Sequence, residues 1–387
     1  AHLDMDAFFA AVEERDDQRL SGLPIVVGAD PEGGRGRGVV STANYTARAY
    51  GIHSAMPISR AWQLAGAARG AGKPAVVFLP VNGRRYAQVS GRIMALIRAE
   101  LAACAATVAA TTRDSTRAAS GKSSIAALPA IEEASIDEAY LDLSFAGTLA
   151  RARDVALYIK NVIKNAERLT CSIGIGPNKL IAKIASDMQK PDGLTVVGGD
   201  DENARAEFAE RFLEPLPLRK IPGIGPKTEL LLRQRGLTTV RDLRQLSQAA
   251  LYDLLGQWGL LLYDKIRGRD DAPLIEEGEP KSIGEQETFG EDTLGPLFLF
   301  ESLSVLCGNV MRRFERHGFA SFRTVVITVR FADFETKTRA RTLLKPARDM
   351  KTLQFEAMRM LAPFLDSREN GPKKLVRLIG VRVEGFA

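Results

Sequence analysis

The sequence predicts an α+β chain of several domains. Three observations predict it. The chain has 387 residues, more than one hydrophobic core usually organises. Apolar runs of strand length, such as Ile25-Val26-Val27, Val39-Val40 and Val76–Leu79, recur between stretches with helical spacing. The pattern then changes along the chain. A mostly helical region from Asn203 to about Arg267 gives way to Asp270–Lys281, whose two Pro and five acidic residues read as an extended tether, and Ser282–Ala387 reads as a separate α/β module.

His2–Leu3 opens a short strand, and Ala7–Leu20 has helical spacing with Phe8, Ala11 and Val12 on one face. The strands Ile25–Val27 and Val39–Val40 flank a loop, Gly28–Gly38, rich in Gly and charge. Tyr45–Tyr50 and Pro57–Ala67 read as helices and Val76–Leu79 as a strand. Arg84–Leu101 is a long helix. The Ala-, Ser- and Thr-dominated stretch 102–130 has no clear period and reads as a mobile insertion. Strands resume at Ile131–Ser135 and Tyr140–Leu143, followed by an amphipathic helix Arg151–Leu169, a strand Thr170–Ile175 and a helix Asn178–Asp187. Pro191-Asp192-Gly193 is a turn. In the C-terminal module Phe322–Phe331 is a strand with Val325, Ile327, Val329 and Phe331 on one face, and Leu375–Val383 is the last strand.

The composition, 45% hydrophobic and 26% charged, is that of a soluble protein, with no apolar run of membrane-spanning length and no signal peptide in view. Three widely spaced Cys and three His leave no zinc pattern and suit an intracellular, reducing setting. The net charge is +6, yet Ser302–Ala387 alone holds 17 Lys and Arg against 8 Asp and Glu. That excess suits an anionic partner.

The chemistry is carried by acids at strand ends. Asp4-Met5-Asp6 and Ser135-Ile136-Asp137-Glu138 place carboxylates where a core would not take them unpaired. Asp4, Asp137 and Glu138, with the Met5 carbonyl, form an oxygen donor set suited to Mg²⁺. Such a set points to phosphoryl transfer; the lesser, competing reading is that Asp137-Glu138 caps a hairpin turn. Ser41 or Thr42 is expected to cap a helix that presents Tyr45 and Arg48 on one face, a phenol and a guanidinium suited to triphosphate oxygens. Lys179 and Lys183, four apart on one helix face, could point at one phosphate. Lys220–Lys227 contains Gly223-Ile224-Gly225, the helix-hairpin-helix pattern, in which glycines let backbone N–H groups approach a DNA phosphate, with Lys227 alongside. An ordinary tight turn is the competing reading. Lys337, Arg339 and Arg341 alternate by two, so one face of that strand presents three cations. With the other face apolar on helices, this basic face in solvent would be a platform for a duplex. Phe8 and Phe9 would be core residues unless Asp4 holds a metal, in which case one of them lies against the nucleotide sugar.

Together these segments resemble the Y-family DNA polymerases of the DNA polymerase IV/kappa (DinB) type. The matching motifs are Asp4–Glu13, Ser41–Tyr45 with Arg48, Ser135–Tyr140, Cys171–Asp187, Gly223–Gly225 and Lys281–Gly284, in family order along most of the chain. The resemblance implies a right-hand polymerase. It has a ferredoxin-like palm (1–10 and 77–187), small fingers (11–76), a helical helix-hairpin-helix thumb (188–269), a linker (270–281) and an α/β little finger (282–387). It implies that Asp4, Asp137 and Glu138 hold two Mg²⁺, with Mn²⁺ as a substitute, one ion activating the primer 3′-hydroxyl and one travelling with the triphosphate. Phe9 would be the steric gate against ribonucleotides. Ser41 and Thr42 would line the nucleotide site, and Tyr45, Arg48 and Lys183 would hold the triphosphate. The implied activity is low-fidelity, template-directed DNA synthesis past damaged bases, without proofreading, on primer–template DNA and dNTPs, by a monomer acting at intracellular DNA. No sliding-clamp peptide is recognised after the little finger, and the 102–130 stretch is longer than the family's usual link. The rival readings are a metal-dependent DNA nuclease, which would shorten DNA and need no dNTPs, and a non-catalytic DNA-binding protein, which would bind without Mg²⁺ or turnover.

Overall fold

Strands form at the β-branched and apolar runs. In the computed structural model, which describes residues 1–115, 128–199, 201–276, 278–366 and 368–387, they are β1 His2–Met5, β2 Ile25–Gly28, β3 Val40–Ala43, β4 Val77–Pro80, β5 Ile131–Glu133, β6 Glu138–Leu141, β7 Cys171–Ile175, β8 Leu194–Val196, β9 Ser282–Thr293, β10 Phe322–Phe331, β11 Thr336–Ala347 and β12 Val376–Glu384. The helices are α1 Phe8–Asp16, α2 Tyr45–Arg48, α3 Ile58–Gly70, α4 Gly83–Ser115, α5 Leu149–Glu167, α6 Lys179–Ser186, α7 Glu202–Leu213, α8 Pro226–Arg233, α9 Val240–Arg244, α10 Gln248–Leu255, α11 Gln257–Lys265, α12 Pro296–Arg316 and α13 Met350–Leu361. Residues 1–28, 40–56 and 63–277 form one compact unit; residues 29–39, 57–62 and 278–387 form a second.

The first unit is built on a five-stranded sheet in the order β5-β6-β1-β7-β8. Read through β7-β1-β6-β5, with the long excursion through α4 and then α5 as crossovers, this is the ferredoxin-like order. Alternation along β1 divides its residues between two layers. Leu3 and Met5 enter a core with Ile93, Ile97, Ile159 and Ile163 of α4 and α5. His2 meets Ser186 and Lys183 of α6, so the polar positions of the central strands lie toward α6. Gly174 makes this approach possible. A Cβ there would lie 2.1 Å from the Ala182 carbonyl and 2.2 Å from the Ser186 nitrogen. Helices α7–α11 gather Leu213, Leu218, Ile221, Leu232 and Leu262 into a further core that also takes Leu180, Ile181 and Ile184 from the opposite side of α6. A smaller sheet, β3-β2-β4, completes this unit.

Two expectations change here. Helix α4 does not stop at Leu101 but continues through Ser115, and Ala105 is buried on it. Alanine is the strongest helix former, so an Ala-rich run without amphipathic period still extends a helix already nucleated. Residues 116–127 of the expected insertion lie outside the described residues. The stretch Gly83–Ala110 is also long and apolar enough for a membrane span by composition. Tyr86, Val89, Ile93, Met94, Ile97 and Leu101 are buried on it against the sheet, which makes it a core helix. The start of the tether is not free either. Asp270 accepts the Leu180 N–H at 3.0 Å, and Glu132 accepts the Ile275 N–H at 2.9 Å.

The second unit is an antiparallel sheet in the order β11-β10-β12-β9 with α12 and α13 packed on one face. Here the expected basic platform is corrected. Val325, Ile327 and Val329 face the helices, and their directly opposed partners on β11 are Arg341, Arg339 and Lys337. Opposed residues share a face. The three cations therefore lie on the helix-covered side, at its rim. Arg341 pairs with Glu356 of α13 at 3.0 Å and Arg339 with Glu369 at 2.6 Å, while Lys337 donates to the Glu369 carbonyl at 2.8 Å. The face without helices carries Thr324, Thr328, Thr338 and Thr342 with Arg330 and Arg382.

Candidate active site

β1 and β6 run antiparallel with Asp4 opposite Glu138, and the Met5 N–H donates to the Asp137 carbonyl at 2.9 Å. Backbone pairing alone thus brings together acids from two segments far apart in sequence. The Ser135-Ile136-Asp137-Glu138 turn is fixed by its own serine. Ser135 Oγ donates to Asp137 Oδ1 at 2.6 Å and accepts the Asp137 and Glu138 N–H groups at 3.2 and 3.1 Å. The hairpin-cap reading and the ligand reading are therefore compatible: the serine caps the turn and engages only one oxygen of Asp137, so the Glu138 carboxylate stays out of the turn.

A cleft of about 130 Å³ opens on these residues, lined by Asp4, Met5, Phe8, Ser41, Thr42, Tyr45, Arg48, Asp137 and Lys190 among others. Ser41 and Thr42 lie on β3 and do not cap α2. Asn44 does, its Oδ1 accepting the Ala47 N–H at 3.0 Å, because its side chain also bridges to β2 through the Ile25 N–H and the Leu23 carbonyl. Arg48 stacks over the Tyr45 ring at 4.6 Å and donates Nε to the Ala43 carbonyl at 2.8 Å. Both groups face the cleft as a unit.

The lysines divide differently from the expectation. Lys183 donates to Glu138 Oε1 at 2.7 Å, and Lys179 pairs with Glu132 at 2.6 Å, so they do not converge on one phosphate. The lysine that lines the cleft is Lys190, 2.5 Å from Asp4 Oδ2. Sequence reasoning misses this lysine; its one signal is the Pro191-Asp192-Gly193 turn that follows it.

The chain matches the impB/mucB/samB family model over residues 3–110 and 102–187, and that family's C-terminal domain over 280–387. Residues 219–270 match the model described as DNA polymerase-iota, thumb domain. DNA polymerase IV 2 of Methanosarcina mazei is 40% identical over 383 residues, covering 99% of this chain and 90% of the relative. DNA polymerase IV of Methanoculleus marisnigri is 42% identical, covering 99% and 92%. The chain belongs to the Y-family DNA polymerases of the DNA polymerase IV type. Among solved structures, a Y-family DNA polymerase chimera of Dbh and Dpo4 superposes with a TM-score of 0.78 at 26% identity, covering 100% of this chain and 98% of that one. DinB from Sulfolobus solfataricus gives 0.58 at 25% identity, with the same coverages. The chain is a DNA-directed DNA polymerase for low-fidelity, translesion synthesis, and its family works with divalent metal ions.

The acids of the cleft fit such ions. Asp4 and Asp137 line one cleft, and Glu138 is the cross-strand partner of Asp4. Two ammonium groups, Lys190 and Lys183, stand against Asp4 and Glu138 in the manner of stand-in cations. Among the described residues no three acidic, His or Cys side chains are grouped closely enough to hold a metal ion as they stand. Burial pushes the Asp4 carboxyl up to about 6, against the pull of Lys190 and with a push from Glu138 and Asp137. Beneath them His2 is held neutral, pushed down to about 2 by burial and by Lys183 and Lys190. Tyr45 is pushed up to about 12 by burial and the Asp6 charge, so its hydroxyl remains a donor.

Phe9 stacks on Tyr86, ring centroids 4.2 Å apart and 12° from parallel, and the Tyr86 hydroxyl donates to Glu13 Oε1 at 2.6 Å. Phe8 is buried beside it. In the hairpin, Gly223 has φ of 103° and packs against Trp258, while Gly225 begins α8 with no side-chain cap. Lys227 is exposed next to it.

Proposed function

We propose that this cleft carries out nucleotidyl transfer from a dNTP to a primer terminus with two Mg²⁺ ions, Mn²⁺ substituting. The supporting observation is the convergence of Asp4, Asp137 and the Tyr45–Arg48 pair on one cleft, with Glu138 opposite Asp4. Asp4, Asp137, Glu138 and the Met5 carbonyl would hold the ions. Bound there, divalent ions lower the pKa of a primer hydroxyl and offset charge on a pyrophosphate leaving group.

The remaining steps belong to the side chains. With ions held by the acids, Lys190 and Lys183 would no longer be needed by their carboxylates, and Lys190 would be placed to reach the triphosphate beside the Tyr45 hydroxyl and the Arg48 guanidinium. This reading replaces Lys183 by Lys190 in the triphosphate set. Phe9, backed by the flat face of Tyr86, excludes a ribose 2′-hydroxyl by overlap. Primer–template DNA is the partner; the structurally similar Dbh DNA polymerase is solved in an insertion ternary complex. Gly223, Gly225 and Lys227 would meet the duplex backbone from the thumb, and Lys337, Arg339 and Arg341 from the rim of the C-terminal sheet.

The test is a count of Mn²⁺ bound per chain with a non-hydrolysable dNTP present. Two ions are expected for the parent protein and fewer for Asp137→Asn. A single ion, or an Asp137→Asn variant that binds like the parent, would contradict the assignment.

A further inference from the structure

Asp4 and Asp6 look like a matched pair in the sequence, yet the fold separates them. Strand β1 ends at Met5, and Ala7 takes a left-handed φ of 46°, so the strand alternation stops between them. Asp6 is 4% exposed. Its hydrogen bonds all run inward. Its Oδ1 accepts from Ser172 Oγ at 2.8 Å and from the Tyr45 hydroxyl at 3.4 Å, and its Oδ2 accepts the Asp192 N–H at 2.8 Å. A buried carboxylate saturated by donors has little left to offer an ion.

Those donors belong to two walls of the nucleotide cleft. Asp192 lies in the loop that carries Lys190. That loop is gripped twice more: Ser172 Oγ accepts the Gly193 N–H at 3.2 Å, and buried Lys160 donates to Asp192 Oδ1 at 2.7 Å and the Gly193 carbonyl at 3.1 Å. The loop is also tight, since a Cβ on Gly193 would stand 2.3 Å from the Gln189 carbonyl. Tyr45, on the other wall, reaches the same Asp6 oxygen as Ser172.

We infer that Asp6 is a positioning residue for the incoming nucleotide: it ties the Lys190 loop to a buried carboxylate that, before nucleotide binds, also takes the single proton of the Tyr45 hydroxyl, and so sets the spacing of the triphosphate cradle until that proton turns to a phosphate oxygen. The inference rests on the proposal that Tyr45, Arg48 and Lys190 hold the triphosphate. It gives the second acid of the Asp-Met-Asp segment a task distinct from metal ligation. Displacing a binding group by even an ångström can weaken its contribution about a hundredfold.

The experiment measures three quantities on Asp6→Asn, Ser172→Ala, Lys190→Ala and the Asp6→Asn/Lys190→Ala pair. They are KM for dNTP in primer extension, Kd for primer–template, and Mn²⁺ affinity without nucleotide. Asp6→Asn should raise KM about tenfold or more, with DNA Kd and Mn²⁺ affinity unchanged. Ser172→Ala should shift KM the same way, and it carries the test if Asp6→Asn does not fold. The double variant should be little worse than Lys190→Ala, since both act through one group. Lost Mn²⁺ affinity in Asp6→Asn would make it a ligand and overturn the inference. So would multiplicative effects in the double variant. A raised KM in Lys190→Ala with none in Asp6→Asn would overturn the inference alone, whereas an unchanged KM in Lys190→Ala would overturn the cradle beneath it.

Discussion

The proposed Phe9 gate and the buried His2 each predict the effect of a single side chain. The Phe9 ring is stacked on Tyr86 and cannot easily tilt away, so Phe9→Ala should admit ribonucleotides, with discrimination falling roughly a hundredfold. Unchanged sugar selectivity in single-nucleotide incorporation would contradict the gate. His2 predicts a pH effect. In the unfolded chain it protonates near 6.5, but in the fold only near 2. Between those values the folded state binds fewer protons, so stability is lost as pH falls below 6.5, by up to about 1.4 kcal/mol per unit. Asp4 acts in the opposite sense, since its folded value of about 6 exceeds its ordinary 3.8, and stability is gained as pH falls through 6. In metal-free buffer, Tm of His2→Gln should therefore drop less from about pH 7 to about pH 5 than that of the parent, and parallel profiles would count against a buried neutral His2. At this scale the cleft residues Asp4 and Asp137 are legible in the sequence, because strand-end acids are costly to bury unpaired, whereas the Tyr45–Arg48 pair, common on helices by chance, gains meaning only beside them. Lys190 is not. Nothing local in Asp187-Met188-Gln189-Lys190 separates it from Lys183; only the fold of the 189–193 loop brings it over Asp4.

At the scale of elements, the informative cases are α4 and α6. Helix α6 lies against β7 because Gly174 has no Cβ. Gly174→Ala should cost about 1–3 kcal/mol and lower Tm, and a variant as stable as the parent would mean that the helix sits farther from the strand. Beyond Leu101, Ala102–Ser115 is helical in the fold, although its composition reads as low complexity. Ala106 is exposed there, so Ala106→Pro should reduce far-UV helical signal and cost about 3 kcal/mol of local helix. No change in circular dichroism would favour an unstructured segment. The strands β1, β2, β7 and β10 are legible from alternation and apolar runs. Strand β8 and strand β9 are not, because Leu194–Val196 is only three residues long and Ser282–Thr293 is mostly polar; each exists through its partner strand rather than its own pattern.

For the whole molecule, the proposed function puts the affinity for DNA on the basic C-terminal unit and the hairpin at Gly223–Gly225. Removing one cation that neutralises a phosphate should flatten the plot of log K against log salt by about 0.9. Arg339→Ala and Arg341→Ala should each do so for primer–template binding, with no change in the Mn²⁺ count, and an unaltered slope would move the duplex away from the β11 rim. Period-two spacing correctly puts the three cations on one side of β11. It cannot say which side, since that depends on the register with β10. The central claim is that the Asp4–Asp137–Glu138 cleft performs metal-dependent, template-directed synthesis. Primer extension with Mg²⁺ and all four dNTPs, on undamaged and damaged templates, beside an Asp137→Ala/Glu138→Ala control, tests it most directly. A short, metal-dependent ladder that crosses the lesion and vanishes in the control is predicted. Tight primer–template binding without extension, or shortening of the primer, would contradict it.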